Sequence, residues 1–260
     1  MSTGDDGGIL DGERTSFEWR DAAPTVCVLP IGTFEQHSRH LPLACDIIEA
    51  DYFGRFLAGE LGAALLPTLA YGNSLEQTGF AGTVTLRPET LMQIVRDIAD
   101  EVEGQAFETM IVLNGHGGNY ALGPVVRDIN RSNRALKILI VNFWEHSDPD
   151  ILEGHARGRL DMHAGEFETS LMLALRPDLV KPGAVDMTPA EPGFRQPDLN
   201  TFGMGWNAPQ GAYGWPSAAS RDKGEKIVAS IKANMVPHVV ERLEWLAKNR
   251  TYGGRDMRER

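Results

Sequence analysis

The chain has 260 residues, with 36 acidic against 25 basic side chains and a formal net charge of −11, a balance that argues against a nucleic-acid surface and for a small-molecule partner. With 42% apolar and 23% charged residues, it has the make-up of one folded domain large enough to need no staples. Cys27 and Cys45, the only cysteines, lie in no metal-ligand spacing; this argues against a disulfide framework and implies a reducing, cytoplasmic setting, while the lack of a long apolar run argues against a membrane partner.

Residues 1–20 begin MSTGDDGGILDGERT, which has neither the basic nor the apolar region of a signal peptide, and are expected to form a flexible tail. A single domain is expected over residues 21–250, with a second tail over 251–260. Residues 25–31, TVCVLPI, read as a strand buried on both faces of a parallel sheet, with Pro30 near its end. A helix follows over residues 46–61, with Gly62 as its cap, then a short strand over 63–67. Residues 70–87 are rich in Gly, Thr and polar side chains and read as a loop that reaches a site or a neighbouring subunit. Pro88 introduces an amphipathic helix with Leu91, Ile94, Val95, Ile98 and Val102 on one face. The strand TMIVL, residues 109–113, runs into Asn-Gly-His-Gly-Gly-Asn; a helix to about Arg131 and the strand KILIVNFW, residues 137–144, come next. A helix over 166–175, a Pro/Gly-rich segment over 182–216 and a last helix over 221–248, kinked at Pro237, complete the chain. The alternation of strand and helix predicts an α/β fold with a mostly parallel sheet.

Three clusters carry chemistry. In TFEQHSRHLPLACD, a continuing strand would put Glu35 and His37 on one face, and the chain could double back to bring Asp46 to the same point. Asp46-Ile47-Ile48-Glu49 equally has the spacing of a helix capping box. His116 stands among Gly115, Gly117 and Gly118, whose backbones allow close approach to a ligand; phosphate binding at that turn ranks second, because the P-loop Lys-Ser/Thr is missing. In HAGEFETS, His163 precedes Glu166 and Glu168, either of which could be a first-turn helix acid. Sites in open parallel sheets form beyond the carboxyl ends of the strands, where the first two clusters fall. Together the imidazoles and carboxylates make a nitrogen/oxygen ligand set suited to zinc or manganese, with room for two divalent ions sharing a carboxylate.

The stretches LPIGTFEQHSRHLPLACD, VLNGHGGN and HAGEFETSLMLA, with residues 211–224, GAYGWPSAASRDKG, resemble the creatininase (creatinine amidohydrolase) family over about residues 25–245. That resemblance implies a three-layer α/β/α sandwich, a homohexamer, and metal-dependent hydrolysis of amide bonds, often in cyclic substrates. It implies that Glu35, Asp46 and His116 bind one ion and His37 and Asp46 the other, with Asp46 bridging. The family's remaining glutamate lies two residues after the histidine of the Asn-Gly-His motif, where this chain has Gly118; Glu168 is expected to replace it, with Glu166 as the alternate. His163 matches the catalytic histidine, and Glu168 is expected to share in the chemistry. Trp144, Gly117, Gly118 and Tyr71 are the expected substrate-binding residues, although nothing around Arg159 reproduces the family's second tryptophan. A small polar, cyclic substrate follows. The alternatives are hydrolysis of a C–C bond or isomerisation in a cyclic polyol ketone, and a non-catalytic protein stabilised by metal.

Overall fold

In the computed structural model, which describes residues 8–132, 134–153, 161–187 and 201–249, four parallel strands form one sheet. They are β1 (Val26–Ile31), β2 (Ala64–Leu65), β3 (Thr109–Asn114) and β4 (Lys137–Asn142), in the order β2-β1-β3-β4. Ile31 registers with Asn114, and Asn114 with Asn142, so three strands end level at one edge.

The sheet is covered on both faces, which is why its strands are continuous apolar runs. On one face Cys27, Leu29, Met110 and Val112 pack against α3 (Pro88–Gly104) and α4 (Leu122–Arg131), through Leu91, Val95, Val125 and Ile129 among others. On the other, Val28, Ile111, Leu113 and Val141 meet α2 (Cys45–Leu61), α5 (Glu166–Leu175) and the final helix, with Phe53, Leu57, Leu171, Ile227 and Ile231. The result is the expected three-layer α/β/α sandwich, and each fully buried aliphatic side chain contributes about 1.5–3 kcal/mol.

Several boundaries differ from the sequence expectation for local reasons. Pro30 sits inside β1 and faces the β2 side, where its carbonyl accepts from Leu69 N (2.9 Å). β2 has already ended there, so the absent donor leaves no ladder bond unmade. β4 stops at Asn142, and Phe143–His146 is a 3-10 turn that swings Trp144 off the sheet. A four-residue helix, α6 (Met204–Asn207), interrupts the 182–216 loop, and residues 188–200 of that loop lie outside the described residues, as do 1–7 and 251–260 of the two tails and Arg159. The last helix, α7 (Arg221–Lys248), runs through Pro237 on its exposed side, where water can serve the freed carbonyl. Within the stretch assigned to the N-terminal tail, Leu10 bridges to Ala64, and α1 (Ser16–Ala22), started by a Thr15/Glu18 capping box, packs Trp19 edge-on against Phe107. Among the described residues no helix is long and apolar enough to cross a membrane.

Candidate metal centre

Because β1 and β3 end side by side, the segments that follow them emerge together. Glu35 and His37 are not on an extension of β1; they stand in the loop after it, held by Glu35 N donating to Leu43 O (3.1 Å) and by a Phe34–Val84 bridge. The loop nevertheless brings both side chains to one point. Asp46 arrives from the first turn of α2, and its capping role is corrected: Ala44 is the N-cap, without a side-chain bond, and Asp46 turns inward instead. Its Oδ1 lies 3.0 Å from His37 Nε2 and its Oδ2 3.2 Å from His116 Nδ1. Glu35 Oε2 is 3.2 Å from His116 Nε2, and Glu35 Oε1 is 3.6 Å from His163 Nδ1. Glu168 Oε2 is 3.9 Å from His37 Nε2.

The turn that presents His116 is built by asparagines and close backbone contact. Asn114 Oδ1 accepts from His116 N (3.2 Å) and Asn119 Nδ2 (3.0 Å). Gly115 lies so near α2 that a Cβ there would come within 2.8 Å of Asp46 O and of Ala50 Cβ. The His163 turn is fixed from below by Asp161, whose carboxylate accepts from Glu166 N and Phe167 N (2.8 Å each) at the start of α5. Ala164 adopts φ 48°, and its amide donates to Glu168 Oε2, which aims that carboxylate at the cluster. Glu166 is more deeply buried and points elsewhere, accepting from Lys223 Nζ (2.7 Å) and Glu153 N (3.0 Å). Of the two glutamates only Glu168 faces His37; Glu166 ties α5 to α7.

The electrostatics are those of a site short of positive charge. Both oxygens of Glu35, and Oδ2 of Asp46, are buried without a hydrogen-bond donor, a costly state unless a cation stands between them. Burial holds the Glu35 carboxyl well above the usual carboxylate range, partly offset by His116. Burial opposes a charge on His37, but Asp46 outweighs it and raises the ring to about 10; His116 is likewise raised, by Glu35 and Asp46 against burial. For Asp46 the two histidines overcome burial and lower its carboxyl. Burial carries Glu168 up to about 7 and, aided by the His37 charge, takes His163 well below its ordinary range. Protons on buried rings thus do what metal ions would do better. Three sets, Glu35/His37/His163, His37/Cys45/Asp46 and Glu35/Asp46/His116, each offer ligand atoms within 4.8 Å of one another. The predominantly nitrogen and oxygen donors fit zinc or manganese.

A cavity of about 370 Å³ opens beside the cluster, lined by the apolar Phe143, Trp144, Met162 and Phe167 and by Glu49, Gly117, His163 and Glu168. Of the four residues expected to bind substrate, Trp144 and Gly117 line this cavity. Tyr71 is exposed and packs on Phe34 instead, and Gly118 turns away towards Glu76. Three buried polar residues escape the sequence reading. Gln36 accepts from His163 Nε2 through its carbonyl (2.8 Å) and donates to Gln77 Oε1 (2.6 Å) and Gly211 O (3.0 Å). Glu49, taken as a capping partner, lies on the cavity wall, with its carboxyl raised by burial and by Glu168. Glu76 lies in a loop whose sequence has no periodicity to mark it. The alternation Glu35-Gln36-His37 was the one available signal, and it pointed only to the ligand-type neighbours.

A family model described as creatininase, creatinine amidohydrolase, matches residues 12–239. The chain is 32% identical over 242 residues to the creatinine amidohydrolase of Pseudomonas putida, covering 85% of this chain and 92% of that one. It is 30% identical over 239 residues to the mycofactocin precursor peptide peptidase of Mycobacterium ulcerans (strain Agy99), covering 88% and 89%. A solved manganese form of creatininase shares the fold with a TM-score of 0.78 at 27% identity, over 90% of this chain and 99% of that one. A zinc–zinc form of a creatininase variant gives 0.77 at 28%, over 91% and 99%.

Proposed function

The chain belongs to the creatininase family of metal-dependent amidohydrolases, and from that premise we propose that it is a dinuclear hydrolase of a small polar, cyclic amide. Asp46 would bridge two ions, zinc or manganese, with Glu35 and His116 on one and His37 and Glu168 on the other. When bound, the ions supply an acidified water and polarise the substrate carbonyl. The observation that carries the reading is the division of the Asp46 carboxylate between two imidazoles, 3.0 Å and 3.2 Å from its two oxygens.

The protein's own groups do the rest. With Nε2–H given to the Gln36 carbonyl, His163 keeps Nδ1, 3.6 Å from Glu35 Oε1, to take a proton and pass it to the leaving nitrogen. Burial and the His37 charge hold that ring below its ordinary range, so it rests neutral. Trp144, Phe143 and Phe167 offer flat apolar walls that suit a planar ring and exclude water. The segments 70–87 and 182–216 would set substrate choice, and exchanging them between relatives should alter substrate while sparing metal content. The assembly would be a homohexamer acting in the cytoplasm.

The test is metal analysis of the purified protein together with product mass from a panel of cyclic amides and lactones. Two ions per chain and products heavier by one water are expected. Products of unchanged mass would mean isomerisation instead, and metal without turnover on any substrate would mean a binding protein.

A further inference from the structure

Glu76 enters the site from a loop 40 residues before His116, in the 3-10 turn Leu75–Gln77. Its carboxylate is buried, and Oε1 lies 2.9 Å from His116 Nε2 in hydrogen-bond geometry. Glu35 Oε2 is 3.2 Å from the same nitrogen, yet it is out of alignment and takes no hydrogen bond. With an ion in place of the second ring proton the imidazole is neutral, with one N–H and one lone pair; the bond to Glu76 would then hold the N–H at Nε2 and leave the Nδ1 lone pair, on the side of Asp46 Oδ2, for the ion. His37 shows the same plan with its nitrogens exchanged: Nδ1 faces the Glu35 carbonyl (3.1 Å), and Nε2 faces Asp46 Oδ1.

The backbone is shaped to admit this carboxylate. A Cβ on Gly118 would come within 2.0 Å of Glu76 Oε1, so only glycine there leaves Glu76 its place. The two loops are also joined directly, by Asn73 N donating to Asn119 Oδ1 (2.7 Å).

We infer that Glu76 is the positioning residue of His116, a carboxylate one shell out from the ion that fixes Nδ1 as the metal-facing nitrogen, with Gly118 providing its room. This rests on the dinuclear reading above. Outer carboxylates of this kind orient the ring and raise its basicity, and their loss typically costs 10–100-fold in metal affinity.

The experiment uses the full chain loaded with zinc. Nitrogen-15 NMR of the histidine rings should show His116 protonated at Nε2 and zinc-bound at Nδ1. Chelator competition should show Glu76→Ala weakening one of two zinc sites about 10–100-fold, with Glu76→Gln, which keeps an acceptor, recovering part of the loss. Gly118→Ala, displacing the carboxylate, should weaken the same site. Zinc on Nε2, or a Glu76→Ala protein with both affinities unchanged and the wild type loaded, overturns this inference alone. A wild type that takes up no zinc overturns the dinuclear reading and this inference with it.

Discussion

Asp46 gives one oxygen to each imidazole, so Asp46→Asn should disturb both ions at once. Metal content measured by mass spectrometry should fall below two per chain, and kcat/KM should drop about 10³-fold or more, the several kcal/mol that metal-stabilised charge supplies. His163→Asn separates proton transfer from metal binding: the ions should stay while kcat falls about 10²–10⁴-fold. His40 reports on pH. It is buried, its Nε2 lies 2.8 Å from Thr169 Oγ1, and burial with the nearby His37 charge lowers its ring to about 4. The unfolded chain takes up that proton near pH 6.5, whereas the folded chain refuses it until about pH 4. This contribution to stability, present above about pH 6.5, is therefore lost between 6.5 and 4, by on the order of 3 kcal/mol. Glu168, carried up to about 7, pulls the other way over much of the same range, so the difference between thermal melts of the wild type and His40→Gln across the window should isolate the His40 contribution.

Among the elements, α5 and α7 cross in close backbone contact. At Gly224 an added Cβ would lie 1.9 Å from Ser170 O and 2.9 Å from Ala174 Cβ. Helix propensity alone favours alanine there by about 1 kcal/mol, but overpacking between two buried backbones costs about 1–3 kcal/mol and must win. Gly224→Ala should lower the melting temperature. Gly123, in the first turn of α4 with nothing within 4 Å of an added Cβ, should respond in the opposite sense, gaining up to about 0.5–1 kcal/mol as alanine. Measured together by denaturant unfolding, the pair distinguishes steric exclusion from propensity. The consequence reaches the site, because α5 carries Glu168 on one turn and the Lys223-bound Glu166 on the same turn.

For the molecule as a whole, the centre is both chemistry and structure. Removing ions leaves buried oxygens of Glu35 and Asp46 without partners, so a chelator should lower the melting temperature, and zinc or manganese should restore it. At a free ion concentration 100 times the dissociation constant, one site adds about 2.7 kcal/mol. Sedimentation should give the mass of six 28.5 kDa chains if the family's expected hexamer forms; a monomer would refute that proposal.

The alternation of apolar strands with amphipathic helices was legible in the sequence, because burial on two faces or on one stripe imposes its period on neighbouring residues. So were the three clusters, since strand ends and glycine turns are local signals and parallel strands deliver them to one edge. Long-range partners decided the rest. Lys223 takes Glu166 and leaves Glu168 to the cluster, and Asp46 faces two histidines instead of capping its helix. Glu76 comes from a loop without period, and Gly118 is explained by the carboxylate that fills its missing side chain. A residue's type records what it can bind; the direction it faces depends on charges and backbones tens of residues away, which only the tertiary structure brings together.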